Sequence, residues 1–225
     1  MVILFSPGRN LVIVGCGAFG RETLMWSKHE NNGIISRKYT NISVVCDDFD
    51  KNSYVYMQKY YRSTLEDYTP GKNDRLVIAV ADPGTRYRIY QKLMDRGAKF
   101  GRVIHPTAII SNSSKIGEGS IIAPNVVITT DVNIGHHVHI NIASSIGHDV
   151  TVGDFVTLSS HVDITGHCKL NSEVFMGSGS RILPNCEIAR GSRVGAGCTV
   201  MRSIKEKATL LAPTPKTVKF SQHKT

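Results

Sequence analysis

Two groups of residues in this 225-residue chain have types and spacing suited to chemistry. The first is a glycine turn, Gly15-Cys16-Gly17-Ala18-Phe19-Gly20, directly after the apolar run from Leu11 to Val14. Gly15, Gly17 and Gly20 have the GxGxxG spacing. Glycines there let the backbone approach a phosphate, and the following helix N-terminus favours the anion. Two further apolar runs end in acids, Asp47-Asp48 and Asp82, where carboxylates suit ribose hydroxyls or a base edge. The plainer reading of the same turn is a tight strand-to-helix connection. The second group lies in the other half of the chain: His148-Asp149, with His136, His137, His139, His161 and His167 around it. Of the five cysteines, none forms a CxxC pair. An odd count argues against a fully paired disulfide set, so a reducing cytosol is expected. Cys16 is expected as a free thiol beside the nucleotide site.

The elements that must position these groups follow from a repeat. From Val103 to Ile204 the chain parses without a gap into hexads such as IIAPNV, SIGHDV and RVGAGC. The second place of each hexad is aliphatic throughout, from Ile104 through Ile122, Ile146 and Leu170 to Val200. Four residues further on stands a small or β-branched residue, such as Ala108, Val138 or Cys168. A period of six is neither helical nor an alternating strand. It suits a parallel β-helix of triangular section, with each hexad making one side and one corner. Three hexads then form an 18-residue coil, and coils stack at about 4.8 Å. His148 and Asp149 fall near a corner and face outward. Gly166 falls one coil above His148, and Asp131, Asp149 and His167 form a vertical row. The spacing leaves open whether Asp149 meets His148 or His167. His161 and His167 fall on different sides, which argues against a shared ion in one subunit, so no metal is expected. Cys168, Cys186 and Cys198 take the small slot and read as core thiols.

The first hundred residues read as strand, glycine turn and helix (Arg21 to His29), then strands at Asn41 to Cys46 and Leu76 to Ala81. A second helix follows, with Pro83 in its first turn and its end near Met94. About 100 residues hold only half of a six-stranded dinucleotide fold, so a mononucleotide-sized ligand fits better. The expected fold class is an α/β half-Rossmann-like domain (1–102), a parallel β-helix of hexapeptide repeats (103–204) and a C-terminal cap or tail (205–225).

Charge divides along the same lines. Residues 1–102 carry 16 Lys/Arg and 10 Asp/Glu, residues 103–204 carry 6 and 7, and residues 205–225 carry 5 and 1. The excess lies at the two ends, without the concentrated basic reader of a nucleic-acid-binding protein, and no apolar run is long enough to cross a membrane. Neither nucleic acid nor a membrane span is expected. No secretory leader is read at the N-terminus. Cations also gather at the C-terminal end of the repeats, where Arg181, Arg190, Arg193, Arg202 and Lys205 suit phosphates.

The arrangement as a whole resembles the hexapeptide-repeat acyltransferases: a glycine-turn domain, Asp-Asp after its second strand, Asp82…Arg86, then Val103-Ile-His-Pro-Thr-Ala leading into hexads. More narrowly it is similar to the sugar O- and N-acyltransferases of bacterial surface-glycan synthesis. The resemblance implies a left-handed β-helix, a homotrimer and acetyl-CoA as co-substrate with no further cofactor. It implies that Gly15, Gly17, Asp47, Asp48 and Asp82 hold the nucleotide of a nucleotide-linked amino sugar. The stretch Asn141-Ile-Ala-Ser-Ser-Ile-Gly-His-Asp149 matches the family's active-site segment. That match implies His148 as general base, Asp149 as its carboxylate partner and Asn141 as a substrate contact. Gly166, His167, Gly177 and Arg202 are then expected along acetyl-CoA, with the Gly166 N–H available to an oxyanion. The expected reaction is N-acetylation in the cytoplasm, with sugar O-acetylation as the alternative. A metal-dependent lyase or a non-catalytic nucleotide-sugar-binding module are further alternatives. Two departures stand out: Ala18-Phe19 where many relatives have glycine then histidine, and Ala212-Pro-Thr-Pro-Lys216 where they often have Gly-x-Pro-Ala-Lys.

Overall fold

The computed structural model describes residues 8–31, 38–49 and 55–213. The N-terminal unit is a four-stranded parallel sheet made of β1 (Asn10–Val14), β2 (Asn41–Val45), β3 (Tyr61–Ser63) and β4 (Asp74–Ile78), in the order β3-β2-β1-β4. Both faces of the sheet are covered, as parallel strands require. Leu11, Ile13, Val44 and Val77 point into one buried cluster, and Val12, Val14, Val45, Leu76 and Ile78 into another. Helix α1 (Ala18–Asn31) covers the first face and carries Leu24 and Trp26 into that cluster. Helix α2 (Pro83–Asp95) covers the second with Leu93. The expected helix start at Arg21 moves to Ala18, because the glycine turn itself enters the first helical turn. β3 is only three residues long. Its pairing with β2, and no pattern of its own, makes it a strand.

The repeats form two-residue strands, one per hexad, from Val103–Ile104 to Thr199–Val200. With one later strand, Thr209–Leu210, they stack into three walls of five, seven and six parallel strands. The register is the expected 18: Ser145 pairs with Val127 below and with Asp163 above. The spacing shortens at Ile204, which bridges Ile188 at a spacing of 16, and Thr209–Leu210 joins the largest wall beside Arg193–Val194 at the same spacing. The repeat core therefore continues past the expected boundary at 204. Pro215 and Lys216 lie outside the described residues.

The corners have a shared conformation. Asn125, Asp131, His137, Ala143, Asp149, Phe155, His161, His167, Glu173 and Asn185 are left-handed, with φ between 55° and 63°, and Gly119, Gly179, Gly191 and Gly197 share the slot. Asn, Asp, His and Gly tolerate this region best, which explains their recurrence every six residues.

A buried joint at Arg86 helps hold the two units together. Arg86 of α2 is fully buried in the β-helix surface. Its guanidinium donates to Val80 O (2.7 Å), Phe155 O (2.7 Å), Thr157 Oγ1 (2.9 Å) and His139 Nδ1 (3.0 Å). Burial away from a contacting carboxylate lowers its pKa to about 9, so it stays charged at neutral pH. Phe19 packs on His139 at 4.9 Å between ring centroids. Beside them, Tyr90, Phe100 and Phe155 enclose His137. One buried cluster runs from β1 through the coils to Val200.

Candidate active site

His148 and Asp149 occupy the corner after Ser145–Ile146. The left-handed backbone at Asp149 (φ 57°) turns its carboxylate back along the wall. His148 Nδ1 stands 2.8 Å from Asp149 Oδ2, while His167 Nδ1 stands 3.9 Å away. The structure thus decides the choice the spacing left open, and Asp149 pairs with His148. Bound through Nδ1, the imidazole keeps Nε2 free. Both side chains are about half exposed, at 56% and 48%.

Gly166 lies against the imidazole. A Cβ there would come within 2.6 Å of His148 Cε1 and of Nε2. Its N–H donates no hydrogen bond among the described residues. His148, Asp149 and His167 also bring three ligand atoms within 4.8 Å of one another. The sequence grouped His161 with His167 when weighing a metal; the geometry groups His167 with His148 and Asp149 instead, because those rows share one edge of the prism.

The 18-residue stagger sorts the remaining sites by edge. Arg202 falls on the His148 edge, three coils or about 14 Å further along. Asn141 and Gly177 share the previous edge. Asn141 Oδ1 accepts from the N–H of Ile142 at 2.7 Å. A Cβ on Gly177 would meet Ala196 N at 2.6 Å, so coil packing already requires glycine there.

Gly15, Gly17, Asp47 and Asp48 come together around a cavity of about 560 Å³ at the C-terminal ends of β1 and β2. Gly15 needs its glycine, having φ of +115° with Ala79 O 3.0 Å from a would-be Cβ; Gly17 faces open space. Arg21 also lines this cavity. The sequence reading passed over it, although a cation one residue after the glycine motif is a usable signal. Asp82 is not in the wall. Its Oδ1 caps α2 by accepting from Thr85 N at 2.9 Å, and its Oδ2 pairs with Arg193 at 2.5 Å. These contacts hold its carboxyl down at about 2, the Thr85 N–H chief among them. Asp82 therefore belongs to the joint between the units. The expectation of a thiol at Cys16 is also corrected, since Cys16 and Cys46 form a disulfide with Cα atoms 5.8 Å apart. Cys16 follows β1 and Cys46 follows β2, and these are neighbouring parallel strands, so their ends meet. Cys168, Cys186 and Cys198 are free and buried, as the hexad slots predict.

Comparison with known proteins decides the fold. The acetyltransferase domain of PglB from Neisseria gonorrhoeae superposes with a TM-score of 0.80 at 22% identity, over 89% of this chain and 95% of that one. PerB from Caulobacter crescentus, in complex with CoA and GDP-perosamine, superposes at 0.74 and 24% identity, over 89% and 92%. The fold is that of the left-handed hexapeptide-repeat acetyltransferases. Among curated proteins, the GDP-perosamine N-acetyltransferase of Escherichia coli O157:H7 is 27% identical over 132 residues, 59% of each chain. A serine acetyltransferase of Buchnera aphidicola (subsp. Schizaphis graminum) is 30% identical over 137 residues, 60% of this chain and 47% of its own. The chain thus spans between 47% and 59% of the length of these curated relatives. No family profile matches it.

Proposed function

We propose that this chain is an acetyl-CoA-dependent N-acetyltransferase that acetylates the amine of a nucleotide-linked amino-deoxy sugar in surface-glycan synthesis. The observation that carries the reading is His148, bonded to Asp149 through Nδ1, with Gly166 packed against its ring. Its support is similarity to a GDP-perosamine N-acetyltransferase and to a fold seen with CoA and GDP-perosamine.

In this reading the neutral sugar amine attacks the acetyl carbonyl carbon, forming a C–N bond. His148 Nε2 takes the amine proton, and Asp149 stabilises the resulting imidazolium. The Gly166 N–H faces the tetrahedral oxyanion. Collapse breaks the C–S bond, and the imidazolium returns the proton to the departing thiolate. Gly15, Gly17, Asp47 and Asp48 hold the nucleotide, and Asn141 contacts the acceptor. Acetyl-CoA runs along the coils past Gly166, His167 and Gly177, with its phosphates towards Arg202 and the C-terminal cations.

The reading includes a homotrimer. The cavity wall contains only residues of the N-terminal unit, and that unit docks at Phe155 and Thr157, away from the His148 edge. A neighbouring copy then completes the site. In this reading the reaction takes place in the cytoplasm. No described helix is long and apolar enough to cross a membrane.

The test is thiol release from acetyl-CoA against a panel of nucleotide 4-amino-6-deoxy sugars, with hydroxyl acceptors alongside. Turnover with an amine and a loss of about 10²–10⁴ in kcat in His148→Ala are expected. Turnover with hydroxyl acceptors alone would replace the reading with O-acetylation. A His148→Ala enzyme retaining more than about a tenth of kcat, with chemistry rate-limiting, would remove the base assignment.

A further inference from the structure

A cavity of about 630 Å³ belongs to neither proposed ligand site. It opens where the N-terminal ends of the sheet strands meet the first coil. Arg9 stands just before β1, Lys38 before β2 and Arg75 within β4, and Lys99 and Arg102 lie on the link into the repeats. The nucleotide cavity lies at the other end of the same strands. A five-residue strand puts about 16 Å between the two ends.

Five cations face this cavity and one wall residue, Glu118, is acidic. Lys38 is paired with Glu30 at 2.6 Å. No carboxylate among the described residues forms an ion pair with Arg9, Arg75, Lys99 or Arg102. Arg75 is held in place instead by backbone carbonyls, at 2.8 Å from Asp74 O. Two wall residues carry buried nitrogens without a hydrogen-bond partner: Arg102 at Nε and His137 at Nδ1. His137 is only 2% exposed. Burial and the nearby charge of Arg86 lower its pKa to about 3, so it is neutral and adds no charge of its own. Like charges gathered in a concave wall repel one another and attract a multivalent anion. Guanidinium groups also match phosphate oxygens geometrically. Tyr90 and Phe100 supply an apolar side to the same space.

We propose that this cavity is a second ligand site, specific for a diphosphate, either inorganic or carried on a nucleoside. The four unpaired cations match the two to three negative charges of that group. The volume leaves room for an organic substituent against Tyr90 and Phe100.

Calorimetric titration of the full chain with inorganic pyrophosphate, and separately with ADP, tests the site. Arg9 and Lys99 are exposed and away from the acetyl-transfer residues, so an Arg9→Gln/Lys99→Gln double variant leaves the fold and basal turnover intact. It is expected to raise the pyrophosphate Kd at least tenfold. Glu118→Gln is expected to lower the Kd severalfold by removing the one opposing carboxylate, and Asp48→Asn to leave it unchanged. Binding should weaken as salt rises. Tighter binding of ADP than of pyrophosphate would assign the natural ligand to nucleotides, and equal binding to the bare diphosphate. The proposal is overturned if neither probe binds at millimolar concentration, if the double variant leaves the Kd unmoved, or if Asp48→Asn weakens binding as much. Failure here leaves the acetyl-transfer reading untouched, because the two tests use different residues and different readouts.

Discussion

At the scale of single residues, the candidate site rests on what is missing from Gly166. Its backbone does not require glycine, since it is not among the glycines with positive φ. The His148 ring fills the space a Cβ would take. Gly166→Ala should therefore push the imidazole off Asp149 Oδ2 while the coil stays folded. Because the side chain is half exposed, it can swing away at little cost to stability. The expected result is a fall in kcat of tenfold or more with an unchanged melting temperature. Matched kinetics and thermal melts check it; an equal loss of stability would mean the glycine serves packing alone. Gly147 gives a contrasting case. A Cβ there would meet the backbone N of Gly166 at 2.9 Å, so its glycine is needed by the stack itself.

At the scale of the element, most hexads carry one left-handed corner, and its cost depends on which residue fills it. Ala143 (φ 55°) has neither the permissive backbone of glycine nor the polar side chain of Asn or Asp. Left-handed backbone costs an ordinary residue about 1–2 kcal/mol, and glycine gives back about 0.5–1 kcal/mol of that through chain entropy. Ala143→Gly is therefore expected to stabilise the protein by about 0.5–1 kcal/mol. Chemical denaturation at fixed m-value checks it. Asp149 holds the same conformation but uses it, since the corner aims the carboxylate at His148.

At the scale of the whole molecule, Arg86 decides how the two units sit. Arg86→Ala would leave the carbonyls of Val80 and Phe155 and the side chain of His139 without their buried donor. A loss of about 3–5 kcal/mol is expected. Denaturation should then separate into two transitions, with the sheet unit melting first. Arg86→Lys should not rescue it, because one ammonium cannot reach both strands of contacts. The same joint makes the protein acid-sensitive. Burial lowers the pKa of His137 from 6.5 to about 3, and that of His139 well below 6.5. Between about pH 6.5 and 3 the unfolded chain binds protons that the folded chain refuses. Stability therefore falls as pH drops through that window, by up to about 1.4 kcal/mol per pH unit for each histidine. Unfolding free energies across the window check this, and His137→Phe should make the acid limb shallower.

The sequence alone determined the β-helix, its 18-residue coil and the row that sets Gly166 above His148. These follow from a local period, and a local period is written along the chain. It also marked the glycine turn and Asp47-Asp48, since strand ends and turns have their own residue chemistry. The tertiary structure decided what depends on residues far apart. Asp82 looked like a ribose ligand until Arg193, more than a hundred residues away, was found against it. Cys16 looked like a thiol until the pairing of β1 with β2 brought Cys46 to it. The choice of His148 over His167 rests on the difference between 2.8 and 3.9 Å, which no spacing encodes. The contacts of Arg86 and the cation-lined cavity have no local signature. Their meaning comes from charges carried to one place by separate strands, and only the packing of sheet against coil puts them there.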